Sequence, residues 1–538
     1  MPRLLDSSLS RPPFSPSQSI IISTSPVLIY STIIVTLIIF ALIGVYTISI
    51  LVTDESSLSQ HDSQDDHIQY TYAAYTKATP DKGGPTLKDS TLKVEKIFQG
   101  DLGITTGMAF LGPNDILVLE KNEGKVHRIR DGILLPEPVL TVSNVGKEIE
   151  WGMLGIAVDN VNSNSVNIDT TNPNGSHTYV FLYFTEPVSS SVVSDSFAPV
   201  ANMMKDDDNS NKDSNNDDSE GTDDSSSDSE EGEEVQQQMA NRLYRYELAD
   251  DKLVNPKLLL SLPANSPDPG TENNHDGGKV VVGPDHNVYV AIGDVGGHRG
   301  QAQNVQDGEP LDGTSGILRV TENGNPVNNA PSLAISSGAD DSSSPDMSSY
   351  YYAYGIRNSF GMDFDPVTGN LWESENGADD NDEINLVLPG FNSGWSQVTG
   401  IALSPSMSTS SEFNTDDEML TFGGQGKYRD PEFVSKQTIG PTALKFLSSD
   451  RLGTQYQNTI FMGDVNTGNL YNFKLNQERT GLSLSGSIAD KIANTYDELE
   501  PVIFGHGFGV ITDIKDNPYN GYLYILGYDG SIYKISPL

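Results

Sequence analysis

The segment that decides the fold is residues 510–535, VITDIKDNPYNGYLYILGYDGSIYKI. It contains short stretches in which apolar residues recur at every second position, and turns rich in Pro, Asp, Asn and Gly separate them. A period of two is typical of β-strands that bury one face, and these turn residues connect antiparallel strands. The segment therefore predicts a small antiparallel sheet.

The same pattern recurs five times earlier in the chain. No sustained helical period interrupts the copies, which cover about residues 106–129, 153–246, 279–320, 360–387, 443–473 and 510–535. Repeated units of short strands are typical of a β-propeller, in which ring closure protects the sheet edges. A two-sheet sandwich is the alternative, but six similar units are more than one sandwich needs. We predict an all-β, six-bladed β-propeller over residues 91–538.

A single N-terminal transmembrane helix is predicted before the propeller. Residues 27–52 carry no charged side chain over 26 positions, which is enough to cross a hydrocarbon core of about 30 Å as a helix. Arg3 and Arg11 precede the segment and several acidic residues follow it, so the positive-inside rule places residues 1–26 in the cytoplasm. The prediction is a single-pass protein of the cell membrane, with a polar linker over residues 53–90 and an extracytoplasmic propeller. A cleaved signal peptide is the alternative, although its apolar region is normally shorter, about 7–15 residues.

Composition excludes several classes of function. The 538 residues include 32 Lys and Arg against 74 Asp and Glu, which gives a formal net charge of −42. Such a chain repels phosphate, so nucleic acid is excluded as a partner. Cysteine is absent, which excludes disulfide scaffolds, thiolate metal sites and cysteine nucleophiles.

An acidic segment interrupts the second repeat. Residues 205–234 contain 14 acidic residues and two lysines among Ser, Asn and Gly, with almost no apolar side chains. A segment of this composition buries too little apolar surface to offset the entropy of ordering it. We predict a disordered insert at about residues 195–238. Calcium buffering by this insert is the less favoured alternative.

Two segments break the alternation with clustered polar residues, and the first surrounds a histidine. Residues 272–278, ENNHDGG, precede a predicted strand, and residues 292–297, IGDVGG, follow the next one. The two glycines near His275 allow the backbone to approach a ligand closely, and an imidazole group titrates near neutral pH. His275 is therefore the candidate general base for removing a proton from a hydroxyl group. A turn residue without a chemical role is the alternative.

The second cluster combines a cationic side chain with an acidic loop. Arg357 and Asn358 offer a planar fork of donors and an amide, which suits an anionic, planar ligand. Residues 375–385, ENGADDNDEIN, concentrate carboxylate oxygens beside glycine, which suits a hard cation such as calcium. The spacing does not match an EF-hand loop, and a solvated acidic turn is the alternative.

At these residues the sequence resembles the glucose/sorbosone dehydrogenase family, which includes soluble aldose sugar dehydrogenases that depend on pyrroloquinoline quinone. The resemblance covers about residues 91–538 and implies a six-bladed propeller. It rests on the ordered motifs Glu150-Trp-Gly-Met-Leu-Gly-Ile-Ala157, His275-Asp-Gly-Gly278, Gly283-Pro-Asp285, Ile292-Gly-Asp294, Tyr354-Gly-Ile-Arg-Asn358, Asp382-Glu-Ile-Asn385 and Gly394-Trp395.

The resemblance also implies roles for the matching residues. His275 takes the place of the base that removes the proton from the anomeric hydroxyl of the sugar while hydride passes to the quinone. The implied contacts are Arg357, Asn358 and Asn376 with the cofactor, Glu150, Asn274 and Asp294 with the substrate, and Gly377, Ala378 and Glu383 with calcium. Gly377 and Ala378 would bind calcium through their carbonyl oxygens, and Glu383 would bind a second, structural calcium. The implied cofactors are therefore pyrroloquinoline quinone and calcium.

Several positions depart from the family. A cofactor-binding lysine is replaced by Asn466, and a pair of arginines is replaced by Val510 and Thr512. Each charge-assisted contact to an anion is worth roughly 1.5–3 kcal/mol, so the loss of three predicts weaker binding of a tricarboxylate. A proline, a glutamine or histidine, and a calcium-binding tyrosine of the family are replaced by Ala378, Asn376 and Ser393.

Three hypotheses of function follow from these features. The first is an extracytoplasmic sugar dehydrogenase that oxidises an aldose to its lactone and passes electrons to an acceptor in the membrane. The second is a non-catalytic propeller that binds a glycan or a protein, which the missing cations favour and the presence of His275, Arg357 and Asn358 opposes. The third is a metal-dependent lactonase on a similar propeller, which requires a calcium at the axis held by side-chain carboxylates.

Overall fold

The strands in the described part of the chain form six sheets. A computed structural model describes residues 78–161, 177–188, 238–267, 271–297, 299–328, 330–334, 346–402 and 419–538. Nearly all regular structure in these ranges is β-strand. The prediction of an all-β, propeller-like fold is confirmed. The predicted tail, the membrane span and most of the linker, at residues 1–77, lie outside the described residues.

We number the six sheets in chain order of their first strands. Sheet 1 contains Thr105–Gly112, Asp115–Glu120, Lys125–Arg130, Ile133–Leu134 and Leu140–Thr141. Sheet 2 contains Met153–Val161, His177–Pro187, Met239–Ala249 and Lys252–Pro263. Sheet 3 contains Val280–Val282, Val288–Ile292, Gly316–Val320, Tyr351–Tyr354, Phe391–Asn392 and Lys427–Tyr428.

The other three sheets include strands from distant parts of the chain. Sheet 4 contains Ser359–Phe364, Leu371–Glu375, Asp382–Val387, Phe433–Ser435 and Ile492–Ala493. Sheet 5 contains Pro441–Phe446, Ile460–Asp464, Leu470–Phe473, Ile503–His506 and Thr86–Leu87. Sheet 6 contains Ile511–Asp516, Leu523–Gly527, Ile532–Pro537 and Leu92–Phe98.

The six sheets form a closed ring. The first strand of each sheet packs against the first strand of the next, and the first strand of sheet 6 packs against that of sheet 1. Six apolar cores lie between consecutive sheets, one for each neighbouring pair. A sheet on its own would expose the apolar side chains of both faces, so the ring provides the burial that stabilises each one.

The ring is closed by a strand from the N-terminal part of the domain. Leu92–Phe98 pairs antiparallel with Ile532–Pro537, and Leu92 lies opposite Pro537. Thr86–Leu87 pairs in the same way with an edge strand of sheet 5. The predicted linker extends to residue 90, whereas the structure includes residues 78–90 in the folded unit, since they satisfy backbone groups of that edge.

Helices contribute little to the described part of the chain. The helices there are the short 3-10 segments Gln301–Gln303, Met347–Ser349, Gly486–Ile488 and Tyr496–Val502. No helix among the described residues is long and apolar enough to cross a membrane. The predicted span at residues 27–52 is outside that part of the chain and stays a prediction.

A network of buried charges joins the inner strands of four sheets. Nζ of Lys279 lies 2.6 Å from Oδ1 of Asp513, which links sheets 3 and 6. Nζ of Lys445 lies 2.9 Å from Asp363 and 3.1 Å from Asp516, which links sheet 5 to sheets 4 and 6. Each buried charge has an opposite charge beside it, as burial of an ion requires.

The predicted site residues lie at one end of the ring. In an antiparallel sheet, the start of the first strand lies beside the end of the second. Glu150, His275 and Arg357 come just before the first strands of sheets 2, 3 and 4, and Asp294 and Gly377 come just after second strands. The topology therefore gathers residues that are far apart in sequence.

The acidic insert begins and ends at neighbouring points of sheet 2. Pro187 lies opposite Met239, so the intervening residues connect two strand ends that are already adjacent. Residues 189–237 lie outside the described residues, and their predicted disorder stays a prediction.

Deletion of residues 205–234 is expected to leave the melting temperature of the full chain within about 2 °C, because a change confined to the surface rarely exceeds about 0.5 kcal/mol. Differential scanning calorimetry of the intact chain and of the deletion variant measures this difference. A fall of many degrees would show that the insert packs on the domain.

Candidate active site

His275 and Asp294 form a hydrogen-bonded pair at this end of the ring. Nδ1 of His275 lies 2.5 Å from Oδ1 of Asp294. Asp294 is 1% exposed, whereas 13% of the His275 side chain is exposed. A carboxylate that accepts from Nδ1–H leaves Nε2 free to accept a proton, so the pair suits general-base chemistry. Asp294 was predicted to contact the substrate, and that stays a prediction; the structure shows its hydrogen bond to His275.

The glycines around this pair are required by close packing. His275 has a left-handed backbone with φ of 63°, which is uncommon for a residue with a side chain. A Cβ on Gly277 would lie 2.6 Å from the carbonyl oxygen of Ala291. A Cβ on Gly293 would lie 2.4 Å from the carbonyl oxygens of both His275 and Arg357. Glycine thus allows three segments of the site to meet.

Glu150 connects the histidine loop to the arginine segment. Its carboxylate accepts from the main-chain N–H of Asp276 at 3.0 Å and from Nδ2 of Asn358 at 3.3 Å. Burial, followed by the charge of Glu150, raises the pKa of Asp276 well above the usual carboxyl range. Nδ2 of Asn241 donates to Asp276 at 2.5 Å. These contacts fix the loop that carries His275.

Arg357 contacts the acidic loop through main-chain oxygens. Its guanidinium donates to the carbonyl oxygens of Asn376 at 3.1 Å and Gly377 at 2.7 Å. Its own main-chain N–H donates to Glu375 at 2.7 Å. Asn376 donates its main-chain N–H to the carbonyl oxygen of Asn358 at 2.8 Å. The three predicted cofactor contacts therefore lie in one hydrogen-bonded group.

The turn of the acidic loop is fixed by a buried carboxylate. Asp382 accepts from the main-chain N–H groups of Gly377, Ile439 and Gly440 at 3.0, 2.7 and 2.8 Å. Burial raises its pKa to about 6. By contrast, Asp379 and Asp380 are exposed. The outer side of the loop is therefore a solvated turn, whereas its inner side is held by the hydrogen bonds to Asp382.

Three glutamates lie close together beneath this loop. Glu375 lies directly opposite Glu383 on the neighbouring strand, and Glu373 lies opposite Asn385. Ser393 donates to Glu375 at 2.6 Å, and Nδ2 of Asn385 donates to Glu373 at 2.8 Å and to Glu383 at 3.0 Å. These side-chain donors are neutral groups, so they satisfy hydrogen bonds without compensating the charge.

Burial raises the pKa of Glu375 to about 7. Burial and the charge of Glu375 raise the pKa of Glu373 and of Glu383 well above the usual carboxyl range. Oε2 of Glu373 and Oδ1 of Asn385 are buried without a hydrogen-bond partner. Such oxygen-rich surroundings fit calcium. Within the described ranges no three acidic or histidine side chains suffice alone to hold a metal, so Ser393 or an amide or carbonyl oxygen would complete such a site.

A pocket connects Glu375 and Glu383 to Arg357. Its walls are Arg357, Glu375, Asn376, Gly377, Asn381, Glu383, Ser393, Val398 and Thr399. Two predicted cofactor contacts, Arg357 and Asn376, therefore share one cavity with two predicted calcium contacts, Gly377 and Glu383. Ala378 follows Gly377 in the loop, and Asn274 is 7% exposed beside His275.

The positions that lack the family's cations lie at the same end of the ring. Asn466 follows the second strand of sheet 5, and its Nδ2 donates to the carbonyl oxygen of Thr438 at 3.0 Å. Val510 precedes the first strand of sheet 6 and is 8% exposed. Oγ1 of Thr512 donates within sheet 6, to Leu526. None of these three side chains carries a positive charge towards the site.

Sequence reasoning left several residues of this region without a role. Glu373, Glu375 and Asp276 are buried acids whose surroundings depend on contacts between sheets, and no local pattern signals them. Trp395 belongs to the motif Gly394-Trp395, and its Nε1 donates to Oδ2 of Asp294 at 2.8 Å.

Comparison with known proteins supports the resemblance. The glucose/sorbosone dehydrogenase family model matches residues 226–533. The quinoprotein glucose dehydrogenase B of Acinetobacter calcoaceticus is 32% identical over 182 residues, which are 31% of this chain and 34% of that protein. The aldose sugar dehydrogenase YliI of Escherichia coli K12 is 27% identical over 267 residues, which are 49% of this chain and 60% of that protein. The chain thus spans about a third of the length of the first relative and about three fifths of the length of the second.

A solved structure shares the fold. The soluble aldose sugar dehydrogenase of Escherichia coli, in its apo-form, superposes on this chain with a TM-score of 0.52 at 20% sequence identity. The superposition covers 83% of this chain and 100% of the chain of that structure. The motif at residues 150–157 precedes the family match, whereas those that contain His275, Arg357 and Glu383 lie within it. Because the match covers more than half of its length, the chain belongs to the glucose/sorbosone dehydrogenase family.

Proposed function

We propose that the protein is a sugar dehydrogenase that oxidises an aldose to its lactone with pyrroloquinoline quinone and calcium. In this proposal a six-bladed propeller faces outward, is held at the cell membrane by residues 27–52 and passes electrons to an acceptor in the membrane. Family membership and the names of the two relatives support sugar oxidation. The charge pattern around residues 27–52 supports the anchor.

The observation that carries the proposal is the hydrogen-bonded group that joins a base to a cation. Asp294 contacts His275 through its side chain and donates its main-chain N–H to the carbonyl oxygen of Arg357 at 2.9 Å. A base and an anion-binding cation are thus held at a fixed separation. This arrangement suits a reaction between a sugar hydroxyl and an anionic cofactor.

The residues of the chain divide the work as follows. Nε2 of His275 accepts the proton of the anomeric hydroxyl, and Asp294 stabilises the imidazolium that forms. Glu150 and Asn274 would hydrogen-bond the sugar beside the base. Arg357, Asn358 and Asn376 would hold the quinone, which supplies the hydride acceptor for C1 of the sugar when bound, and Gly377 and Ala378 would hold the calcium that polarises it. The sugar loses one proton and one hydride, and its product is the lactone.

The chain fits the two cofactors to different degrees. The buried glutamates and the unpartnered oxygens of Glu373 and Asn385 suit calcium. For the quinone, Arg357 offers a guanidinium and Asn358 and Asn376 offer amides, but Asn466 stands where the family has a lysine. We therefore expect a weaker quinone affinity than is usual in the family, and Asn466→Lys is expected to strengthen it.

Reconstitution tests the proposal. The full chain, freed of cofactors and supplied with pyrroloquinoline quinone and calcium, is expected to bind the quinone and to reduce an artificial dye when an aldose is added. Equilibrium titration measures binding, and dye absorbance measures turnover. Absence of quinone binding at millimolar concentration with calcium present would refute the dehydrogenase proposal and favour a glycan- or protein-binding propeller, which the missing cations favour.

Calcium is expected to raise the melting temperature of the cofactor-free chain. A ligand that binds only the folded state at about 100 times its dissociation constant stabilises it by about 2.7 kcal/mol. Melts in excess calcium and in chelator measure the difference. Glu383→Gln is expected to remove most of it, whereas Glu478→Gln, at an exposed position, is the matched control. Identical curves for a chain shown by elemental analysis to be metal-free would contradict the calcium site.

A further inference from the structure

Trp395 contacts both halves of the candidate site. Its Nε1 donates to Oδ2 of Asp294 at 2.8 Å, and Oδ1 of the same carboxylate contacts His275. On its other side, the guanidinium carbon of Arg357 lies 5.6 Å from the centre of the indole ring. A cation at this distance is attracted to the face of an aromatic ring. One side chain therefore touches the partner of the base and the predicted cofactor-binding cation.

The backbone of Trp395 is held by a buried pair of amides. Its main-chain N–H donates to the carbonyl oxygen of Gly355 at 3.0 Å, and its carbonyl oxygen accepts from Asn304 at 2.8 Å. Asn304 and Asn392 exchange two side-chain hydrogen bonds of 3.0 and 2.8 Å, and they are 1% and 0% exposed. A fully hydrogen-bonded buried network of this kind limits movement of the segment that it supports.

We infer that Trp395 is a positioning residue, which orients the Asp294–His275 pair through its N–H and the Arg357 guanidinium through its ring. This inference rests on the proposed function. Hydrogen bonds to both oxygens of Asp294 fix the orientation of the carboxylate, and this in turn fixes the orientation of the His275 imidazole. Without the indole N–H, the carboxylate can rotate and the base loses its fixed direction. The ring has a separate effect, because it attracts the guanidinium that contacts Asn376 and Gly377.

A first test needs neither cofactor nor turnover. The chain contains three tryptophans, so the ¹⁵N spectrum of the indole groups has three signals, and Trp395→Phe identifies one of them. Asp294→Ala is expected to shift this signal more than the other two and to accelerate its exchange with solvent. Trp395→Phe is expected to shift the imidazole nitrogen signals of His275, which His275→Gln assigns. An unchanged Trp395 signal in the Asp294→Ala chain would overturn the inference.

A second test separates the two contacts in the reconstituted full chain. Trp395→Phe keeps a ring for Arg357 and removes the N–H, so it is expected to lower kcat about 10-fold and to change the quinone dissociation constant less than about 2-fold. Trp395→Leu removes both and is also expected to weaken quinone binding about 2- to 5-fold. In an Asp294→Ala chain, Trp395→Phe should lower kcat no further. A merely structural role would lower kcat and binding together in both variants.

The tests distinguish failure of the inference from failure of the proposed function. If the unaltered chain binds no quinone, the proposed function fails, and the indole signals still decide whether Trp395 and Asp294 are coupled. If the unaltered chain turns over an aldose and Trp395→Phe has the same kcat, the positioning role is refuted. Melting curves of each variant show whether the fold is retained.

Discussion

Replacement of His275 by alanine is expected to lower the turnover of an aldose about 10²- to 10⁴-fold, the contribution of a general base. The imidazole is held by Asp294 at 2.5 Å and keeps part of its surface exposed. Water in place of the ring has neither the fixed position nor the basicity of Nε2. The measurement is dye reduction at saturating quinone, calcium and sugar, so that changes in binding do not contribute.

The control for this prediction is a histidine outside the site. His286 lies in a turn of sheet 3 with 77% of its side chain exposed, and His286→Ala is expected to leave turnover unchanged. The His275→Ala chain should also bind quinone with an unaltered dissociation constant, since Arg357 and the loop at Gly377 remain. A His275→Ala enzyme within about threefold of the wild-type rate would rule out general-base catalysis by this residue.

Asp513→Ala is expected to destabilise the domain by about 3–5 kcal/mol, the usual effect of breaking a buried ion pair. The Asp513 carboxylate lies 2.6 Å from Lys279 and 3.5 Å from Lys515, and it accepts from the main-chain N–H of Met108 at 3.0 Å. Burial raises the pKa of Asp513, but Lys279 and Lys515 outweigh burial and hold it below the usual range. The substitution leaves Lys279, Lys515 and the main-chain N–H of Met108 without this carboxylate. Calorimetric melts measure the loss.

Two variants complete this experiment. Lys279→Met combined with Asp513→Leu is expected to recover much of the lost stability, because it removes the closest pair of opposite charges and fills the space with apolar groups. Asp497→Ala, at an exposed position, should change stability by less than about 0.5 kcal/mol. If Asp513→Ala melted at the temperature of Asp497→Ala, the buried network would have no stabilising role.

The repeated strands of the propeller could be predicted because the signal is local. In the last copy, predicted strands around residues 510–514, 521–525 and 530–535 correspond to Ile511–Asp516, Leu523–Gly527 and Ile532–Pro537. Apolar and polar residues alternate clearly enough in each strand to be recognised, and each turn contains residues with strong turn preferences. These features belong to the strand itself and do not depend on its neighbours.

The outer strands could not be predicted in the same way. Phe391–Asn392 and Lys427–Tyr428 extend sheet 3 although sheet 4 begins before them in the chain. Two-residue strands have no periodicity to detect, and their pairing depends on the ring being assembled. Thr86–Leu87 was assigned to the linker for the same reason.

The candidate site shows a similar division. The motifs around His275 and Arg357 were recognised from residue types, and the structure brings both into one hydrogen-bonded group. The glutamates at 373, 375 and 383 were not recognised as a cluster, because alternation places a residue on a face of a strand without revealing what covers that face. The contact from Trp395 to Asp294 joins segments about a hundred residues apart.

The pairing of Leu92–Phe98 with Ile532–Pro537 determines when sheet 6 can assemble during synthesis of the protein. During translation, the early strand leaves the ribosome more than four hundred residues before its partner. Sheets 1 to 5 can assemble in turn as they emerge, but sheet 6 needs both ends of the domain. Until then the nascent protein is an open arc with an apolar edge at each end. A nonsense mutation that removed only the final strand would therefore keep every predicted site residue but leave Leu92–Phe98 without the strand that joins it to sheet 6.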